Sequence, residues 1–267
     1  MKNTSNVIAF IAIVGAAGTA LAGNVANING IVDGSRTFND FPNSNLSVVN
    51  NYPSSVLISE SNFGIGNFAN RHIMWFSDDA GSSRVDFDYA DAFDLCITMD
   101  LDSENVEGRE AGFQADLFGF GFFGVLPNGE IAAFGSILPF QSFGVVANPT
   151  DPLHLRMIHR PGDGDGTIEG VGSTPSTIEY LYDNGGGWIS SGQIAFGNGE
   201  GGIPDSFAFN LGFGIQARGT HGTLGGKDEV PATPYSVLFS NIRTEVPAPG
   251  TVGVLGLAGL VGLRRRR

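Results

Sequence analysis

The sequence predicts an all-β sandwich of 267 residues, and three observations carry that prediction. Apolar residues recur at period two in several short stretches, as half-buried strands require. Between Gly23 and Glu245 no long run keeps the apolar spacing of a helix. Glycine reaches 40 residues and phenylalanine 21, a bias that suits short strands and tight turns.

The first 22 residues, "MKNTSNVIAFIAIVGAAGTALA", combine one lysine in a short polar head with an uncharged apolar stretch from Val7. Ala20 and Ala22 stand at −3 and −1 to a cut before Gly23, which is the pattern of a secretory signal peptide. The reading implies handling by the Sec machinery and signal peptidase.

Residues 23–245 then read as strands. Val85, Phe87 and Tyr89 alternate with polar neighbours. Phe93, Leu95, Ile97, Met99 and Leu101 share one parity, with Asp94, Thr98, Asp100 and Asp102 on the other. In "DLFGFGFFGVLPNGEIAAFGS", Phe118, Phe120 and Phe122 share a face opposite Gly119 and Gly121, and Asn128-Gly129 supplies a hairpin turn. Glycines opposite a phenylalanine row mark close backbone approach, a bulge or curvature, and curved Gly-rich strands are at home in a jelly roll. "LHLRMIH", "TIEYLY" and "GWISSGQIAF" follow, then Phe207, Phe209, Leu211, Phe213 and Ile215 at period two, and finally "YSVLFSNIRT". About a dozen strands without a dividing linker suit one large sandwich.

The chain closes on "VPAPGTVGVLGLAGLVGLRRRR", residues 246–267. Pro247 and Pro249 disfavour helix before Gly250. Thr251 to Leu263 would make a helix of only about 20 Å, against a hydrocarbon core of about 30 Å. Arg264, Arg265, Arg266 and Arg267 would stay on the cytoplasmic side. The segment therefore suits transient rather than permanent residence in lipid.

Net charge is −13. Lys2 and the four terminal arginines lie in segments without acids, leaving nine bases against 27 acids between them, a balance of −18. Such a surface repels phosphate backbones and excludes nucleic acid as a partner; cations and neutral sugars remain acceptable. Cys96 is the only cysteine, so no internal disulfide can form.

Few residues form a recognisable chemistry. Asp100, Asp102 and Glu104 fall on one face of an extended strand, a weak acidic cluster read first as solvated acids at a strand end. Asp78, Asp79, Asp86, Asp88, Asp91 and Asp94, or Asp163, Asp165 and Glu169, could supply oxygen ligands to a structural Ca²⁺; the second group breaks EF-hand spacing at Thr167 and Ile168. No other cofactor is expected. His72, His154, His159 and His221 make no metal-ligand pattern. His154 and Arg156 share a parity and could line a binding face, although a plain exposed sheet face is the simpler expectation. Cys96 has no adjacent base and reads as a small residue on a partly covered face. Trp75, Trp188, Tyr180 and Tyr182 are the candidate sugar platforms, with core or turn packing expected for all four. No catalytic residue is assigned.

With these residues in view, Pro247-Ala248-Pro249, the short Gly/Leu/Ala helix and the arginine cluster resemble the PEP-CTERM sorting signal of exported bacterial proteins. That family carries Glu where this chain has Ala248. The resemblance implies recognition by an exosortase in the inner membrane, cleavage near Pro247–Pro249, and delivery to the cell surface or extracellular matrix. The body loosely resembles concanavalin-like lectin and glucanase sandwiches; in glucanases of that type, paired acids comparable to Asp100, Asp102 and Glu104 do the chemistry. The expectation is an exported, non-enzymatic envelope or matrix protein that binds polysaccharide. Its rivals are a secreted glycan-cleaving enzyme and a purely structural envelope protein.

Overall fold

The computed structural model describes residues 28–39, 46–60, 69–87, 91–101, 109–116, 120–126, 128–135, 138–148, 151–160, 177–195, 211–220 and 235–244. The signal segment, the C-terminal segment, Asp102, Glu104 and the Asp163–Glu169 loop lie outside them. Among the described residues every regular element is a strand, and no helix is long and apolar enough to cross a membrane.

The strands are β1 (Gly30–Asn39), β2 (Leu46–Asn51), β3 (Ser55–Glu60), β4 (Ala69–Ser77), β5 (Asp86–Phe87), β6 (Phe93–Asp100), β7 (Arg109–Asp116) and β8 (Phe120–Val125). They continue as β9 (Glu130–Gly135), β10 (Gln141–Val146), β11 (Leu153–Arg160), β12 (Thr177–Asp183), β13 (Ile189–Ala195), β14 (Leu211–Thr220) and β15 (Tyr235–Thr244). The first sheet runs β1-β4-β14-β7-β8-β9-β10, with β5 beside β14; the second runs β13-β12-β11-β6-β15-β3-β2. All pairings are antiparallel, and the sheets face each other as a sandwich, compatible with a jelly roll.

Period-two patterning decides which side chains meet between the sheets. Phe93, Leu95, Ile97 and Met99 of β6, Leu155 and Met157 of β11, and Tyr180 and Tyr182 of β12 point inward and are buried. From the first sheet come Met74, Phe76, Phe113, Phe123, Val125 and Ile215. Aromatic rings bridge the two layers. Phe123 on β8 lies 4.9 Å from Tyr180, Phe143 on β10 lies 4.8 Å from Tyr182, and Phe87 on β5 lies 5.1 Å from Phe93. Such pairs add about 0.5–1.5 kcal/mol each beyond the area they bury.

The β8–β9 hairpin closes at Asn128-Gly129 as the sequence predicts. Gly129 N–H donates to the Leu126 carbonyl at 2.8 Å, and Asn128 Oδ1 accepts from Glu130 N–H at 3.1 Å. In the described part of β8 Phe120 and Phe122 keep one parity and Gly121 the other, as the sequence reads. Phe118 lies outside the described residues, and Phe122 shares the outward parity of Gly124 while Phe123 turns into the core. Phe122 is nevertheless fully buried, beside Phe134 at 5.5 Å, so this part of the first sheet is covered on both faces.

A close backbone approach falls at Gly124, three residues beyond Gly121 on β8. Gly112 on β7 pairs with Gly124. A Cβ on Gly124 would sit 2.1 Å from the Ala111 carbonyl oxygen and 2.7 Å from Gly112 Cα. Backbone cannot yield as a flexible side chain could, so this pair tolerates no side chain. Gly124→Ala is therefore expected to lower the urea midpoint by more than about 1 kcal/mol equivalent, whereas Gly186→Ala, where an added Cβ meets nothing within 4 Å, should stay within about 0.5 kcal/mol. Equal effects of the two substitutions would refute the close approach.

Candidate functional site

The outward face of the second sheet holds a dense set of polar side chains. Because Leu155 and Met157 are fixed inward, His154, Arg156, Ile158 and Arg160 of β11 must point out. The same alternation puts Asp94, Cys96, Thr98 and Asp100 of β6 and Glu179, Leu181 and Asp183 of β12 on that face. Register then brings Arg156 opposite Cys96, His154 opposite Thr98 and Ile158 opposite Glu179. On the other side of β6, Arg243 of β15 also stands opposite Cys96.

Three linked groups result. Arg156 grips Asp94 with two nitrogens: Nε donates to Oδ1 at 2.7 Å and Nη2 to Oδ2. The Asp94 side chain is 6% exposed and that of Arg156 28%. Removing one member of a fully buried pair costs about 3–5 kcal/mol; the partial exposure of Arg156 reduces that figure here. The Cys96 thiol donates weakly to Asp94 Oδ1 at 4.0 Å. Next, Thr98 Oγ1 lies 2.8 Å from His154 Nδ1 and accepts from Asn241 Nδ2 at 3.1 Å. Finally, Arg160 Nη2 donates to Glu179 Oε2 at 2.8 Å, and Ser190 Oγ on β13 donates to Oε1 at 2.6 Å.

Two β-bulges aim these side chains. The register of β15 against β6 slips between Ser240 and Arg243, and Asn241 takes φ 50°, a left-handed conformation asparagine tolerates better than most residues. The extra residue presents the Asn241 amide to Thr98. In β13 the slip against β12 lies beside Gly192, φ 72°, whose N–H donates to Ser190 Oγ at 2.8 Å and steadies the hydroxyl that meets Glu179.

Trp188 departs from the expected core or turn packing. The 184–187 turn is pinned by Asp183 Oδ1, which accepts from Gly185 and Gly187 N–H at 2.9 Å each. The indole that follows is 46% exposed, with its ring centroid 6.4 Å from that of His154. The other three aromatics are placed differently. Tyr180 and Tyr182 are core residues as expected, and Trp75 is half-buried under the Arg84 guanidinium at 5.0 Å.

Among the described residues the remaining sequence candidates do not gather. Asp100 is exposed at the end of β6, while Asp102 and Glu104 lie outside the described residues. Asp78 and Asp79 sit on the β4–β5 turn, Asp86 pairs with Arg84 at 2.7 Å, and Asp94 belongs to Arg156. Among the described residues no three His, Cys, Asp or Glu side chains could together hold a metal ion. His72 and His159 are buried, and His159 Nδ1 lies 2.7 Å from the Asp91 carbonyl oxygen. His221 is outside the described residues, and Cys96 is buried, more fully than the partly covered face read from the sequence.

No protein-family model and no curated protein matches the chain. Among solved structures it is similar to alginate lyase Aly36B, with 9% identity, a TM-score of 0.41, and coverage of 83% of this chain and 97% of that one. A double mutant of the same lyase in complex with an alginate tetrasaccharide gives 10% identity and a TM-score of 0.41 over 76% of this chain and 87% of that one. A GH131 β-glucanase catalytic domain from Podospora anserina gives 8% identity and a TM-score of 0.34, over 73% and 72% of the two chains. Values this low carry no argument about activity or ligand.

Two carboxylates have lowered pKa values. For Glu179 burial works to raise it, but the Ser190 hydroxyl and Arg160, with a contribution from Arg156, bring it below the ordinary value. Asp79 is held well below the usual carboxylate range, first by the Ser77 hydroxyl at 2.6 Å, then by Ser83 and the Ser82 N–H. A depressed folded-state pKa stabilises the protein above the unfolded value of about 4, and that stability is lost as pH falls toward the folded value. The urea midpoint should therefore hold steady down to about pH 5 and decline below about pH 4. Asp79→Asn and Glu179→Gln should each flatten the decline; a wild-type midpoint unchanged down to pH 2 would contradict both assignments.

Proposed function

We propose that this is an exported surface or matrix protein whose concanavalin-like jelly-roll body binds polysaccharide on the outward face of the second sheet, without cleaving it. The observation that carries the reading is Trp188. An indole left 46% exposed beside His154 borders a face whose polar groups are held in place by one another. Sugar rings stack on exposed aromatic faces through their C–H surfaces, and their hydroxyls need donors and acceptors of fixed direction. Rotamer freedom already lost in the Asp94–Arg156 and Glu179–Arg160 pairs is not lost again on binding. A glycan array probed with full-length protein, with and without Ca²⁺, should show retention that Trp188→Ala weakens about tenfold or more while leaving the urea midpoint unchanged. Silence of the wild-type protein in both conditions would defeat the reading.

The proposed route to the surface rests on the two terminal segments: export through the Sec pathway with cleavage after Ala22, then processing near Pro247–Pro249 by an exosortase-like protease. The apolar stretch is short for a permanent span, and the arginines behind it supply a cytoplasmic stop. Mass spectrometry of the mature protein should find neither the first 22 residues nor Arg264 to Arg267. Recovery of intact C-terminal peptides from the secreted fraction would contradict the route.

A further inference from the structure

We infer that the ligand of this face is a neutral polysaccharide and not a carboxylate- or sulfate-bearing one, an inference that rests on the binding face proposed above. The warrant is charge. The face carries three arginines, Arg156, Arg160 and Arg243. Four carboxylates share it: Asp94, Asp100, Glu179 and Asp183. The guanidinium of Arg156 faces Asp94 with two nitrogens, and that of Arg160 is paired to Glu179. Asp183 is turned to the backbone of the 184–187 turn, and Asp100 stands exposed at the strand end.

An acidic glycan would need net positive charge, whereas among the described residues of this face the three arginines are outnumbered by the four carboxylates. It would also have to approach through the field of a chain whose net charge is −13. Breaking Asp94–Arg156 to free a guanidinium would strand a carboxylate that is 6% exposed. A neutral polyol meets neither obstacle. Its hydroxyls can donate to carboxylate oxygens and accept from guanidinium N–H groups while the ion pairs stay closed. The Trp188 ring contributes contact that is indifferent to charge.

The test is affinity electrophoresis and titration calorimetry of the full-length protein at low and high salt. The neutral probes are dextran, laminarin and xyloglucan; the acidic probes are alginate and polygalacturonate. The expected result is retention by at least one neutral polymer, changed less than about twofold by salt because no counterions are released, with no retention by either acidic polymer. Retention by an acidic polymer that weakens as salt rises would overturn the inference of neutrality while leaving the binding face standing, provided Trp188→Ala abolishes it. Equal retention of both classes would also overturn the inference. Retention by none of the probes would remove the binding face and the inference together.

Discussion

Phe123 sits where the two sheets are joined. Its ring lies 6.2 Å from Phe113 within the first sheet, at 13° and so stacked, and 4.9 Å from Tyr180 across the interior. Tyr180 is itself fixed by its hydroxyl, which donates to the Pro139 carbonyl at 3.2 Å, and burial pushes its pKa upward. With Cys96 as the only cysteine, no covalent link can hold the layers together; packing of this kind must do so. Everything on the outside of the second sheet inherits its direction from that seam. Met157 pairs with Tyr180 in register, so Arg156 on one side and Glu179 next to Tyr180 can only point away. A slip of one residue would carry the arginine and the carboxylate into the aromatic core, and their desolvation is what forbids it.

That geometric discipline explains why a polar face can be assembled without loops. The partners Asp94 and Arg156 are 62 residues apart in the chain, and Thr98 and Asn241 are 143 apart. Regular alternation delivers each to the correct face, and register delivers each to the correct neighbour. The two bulges then make adjustments that a regular strand cannot. One places Asn241 over Thr98, and the other turns Ser190 toward Glu179. The charge of Arg156 adds a smaller contribution to the lowering of the Glu179 pKa.

Much of the framework was legible in the sequence because strand patterning depends on near neighbours. The alternation of β6, β11, β12 and the β8–β9 turn could be read directly, as could the inward Tyr180 and Tyr182. The Asp94 parity of β6 was expected nearer to water, yet Asp94, Cys96 and Thr98 are all buried. Alternation tells which residues share a face and not what covers it. The same limit applies to Phe122, which is buried on the face away from the core. His154 and Arg156 were recognised as sharing a face, but their partners were not, since register between distant strands is set by packing that no local pattern records. Asn241 and Glu179 carry no local signal of their partners for that reason. Gly192 inside a strand pattern was the one available hint of a bulge. Trp188, expected to pack into its glycine turn, instead stands out because Asp183 gathers that turn around its own carboxylate.

Sheet edges provide the competing places for a partner, and three of the four outer strands lose register. On the first sheet, β1 loses register twice against β4, and β10 slips against β9 between Ser142 and Val146. On the second, β13 carries the Gly192 bulge. Broken register twists an edge and spoils it as a template for another strand. Only β2 keeps unbroken pairing, matching Leu46–Asn51 to Ser55–Glu60, and its C-terminal end is tied to the opposite sheet. Asn50 Nδ2 donates to the Ile31 carbonyl of β1 at 3.4 Å, and the Tyr52 hydroxyl donates to the Ile28 carbonyl at 2.8 Å. The turn after β2 is thus tied to the start of the opposite sheet. Broken register disfavours backbone addition at three of these edges, whereas the outer face of the second sheet offers side chains already held in direction by one another.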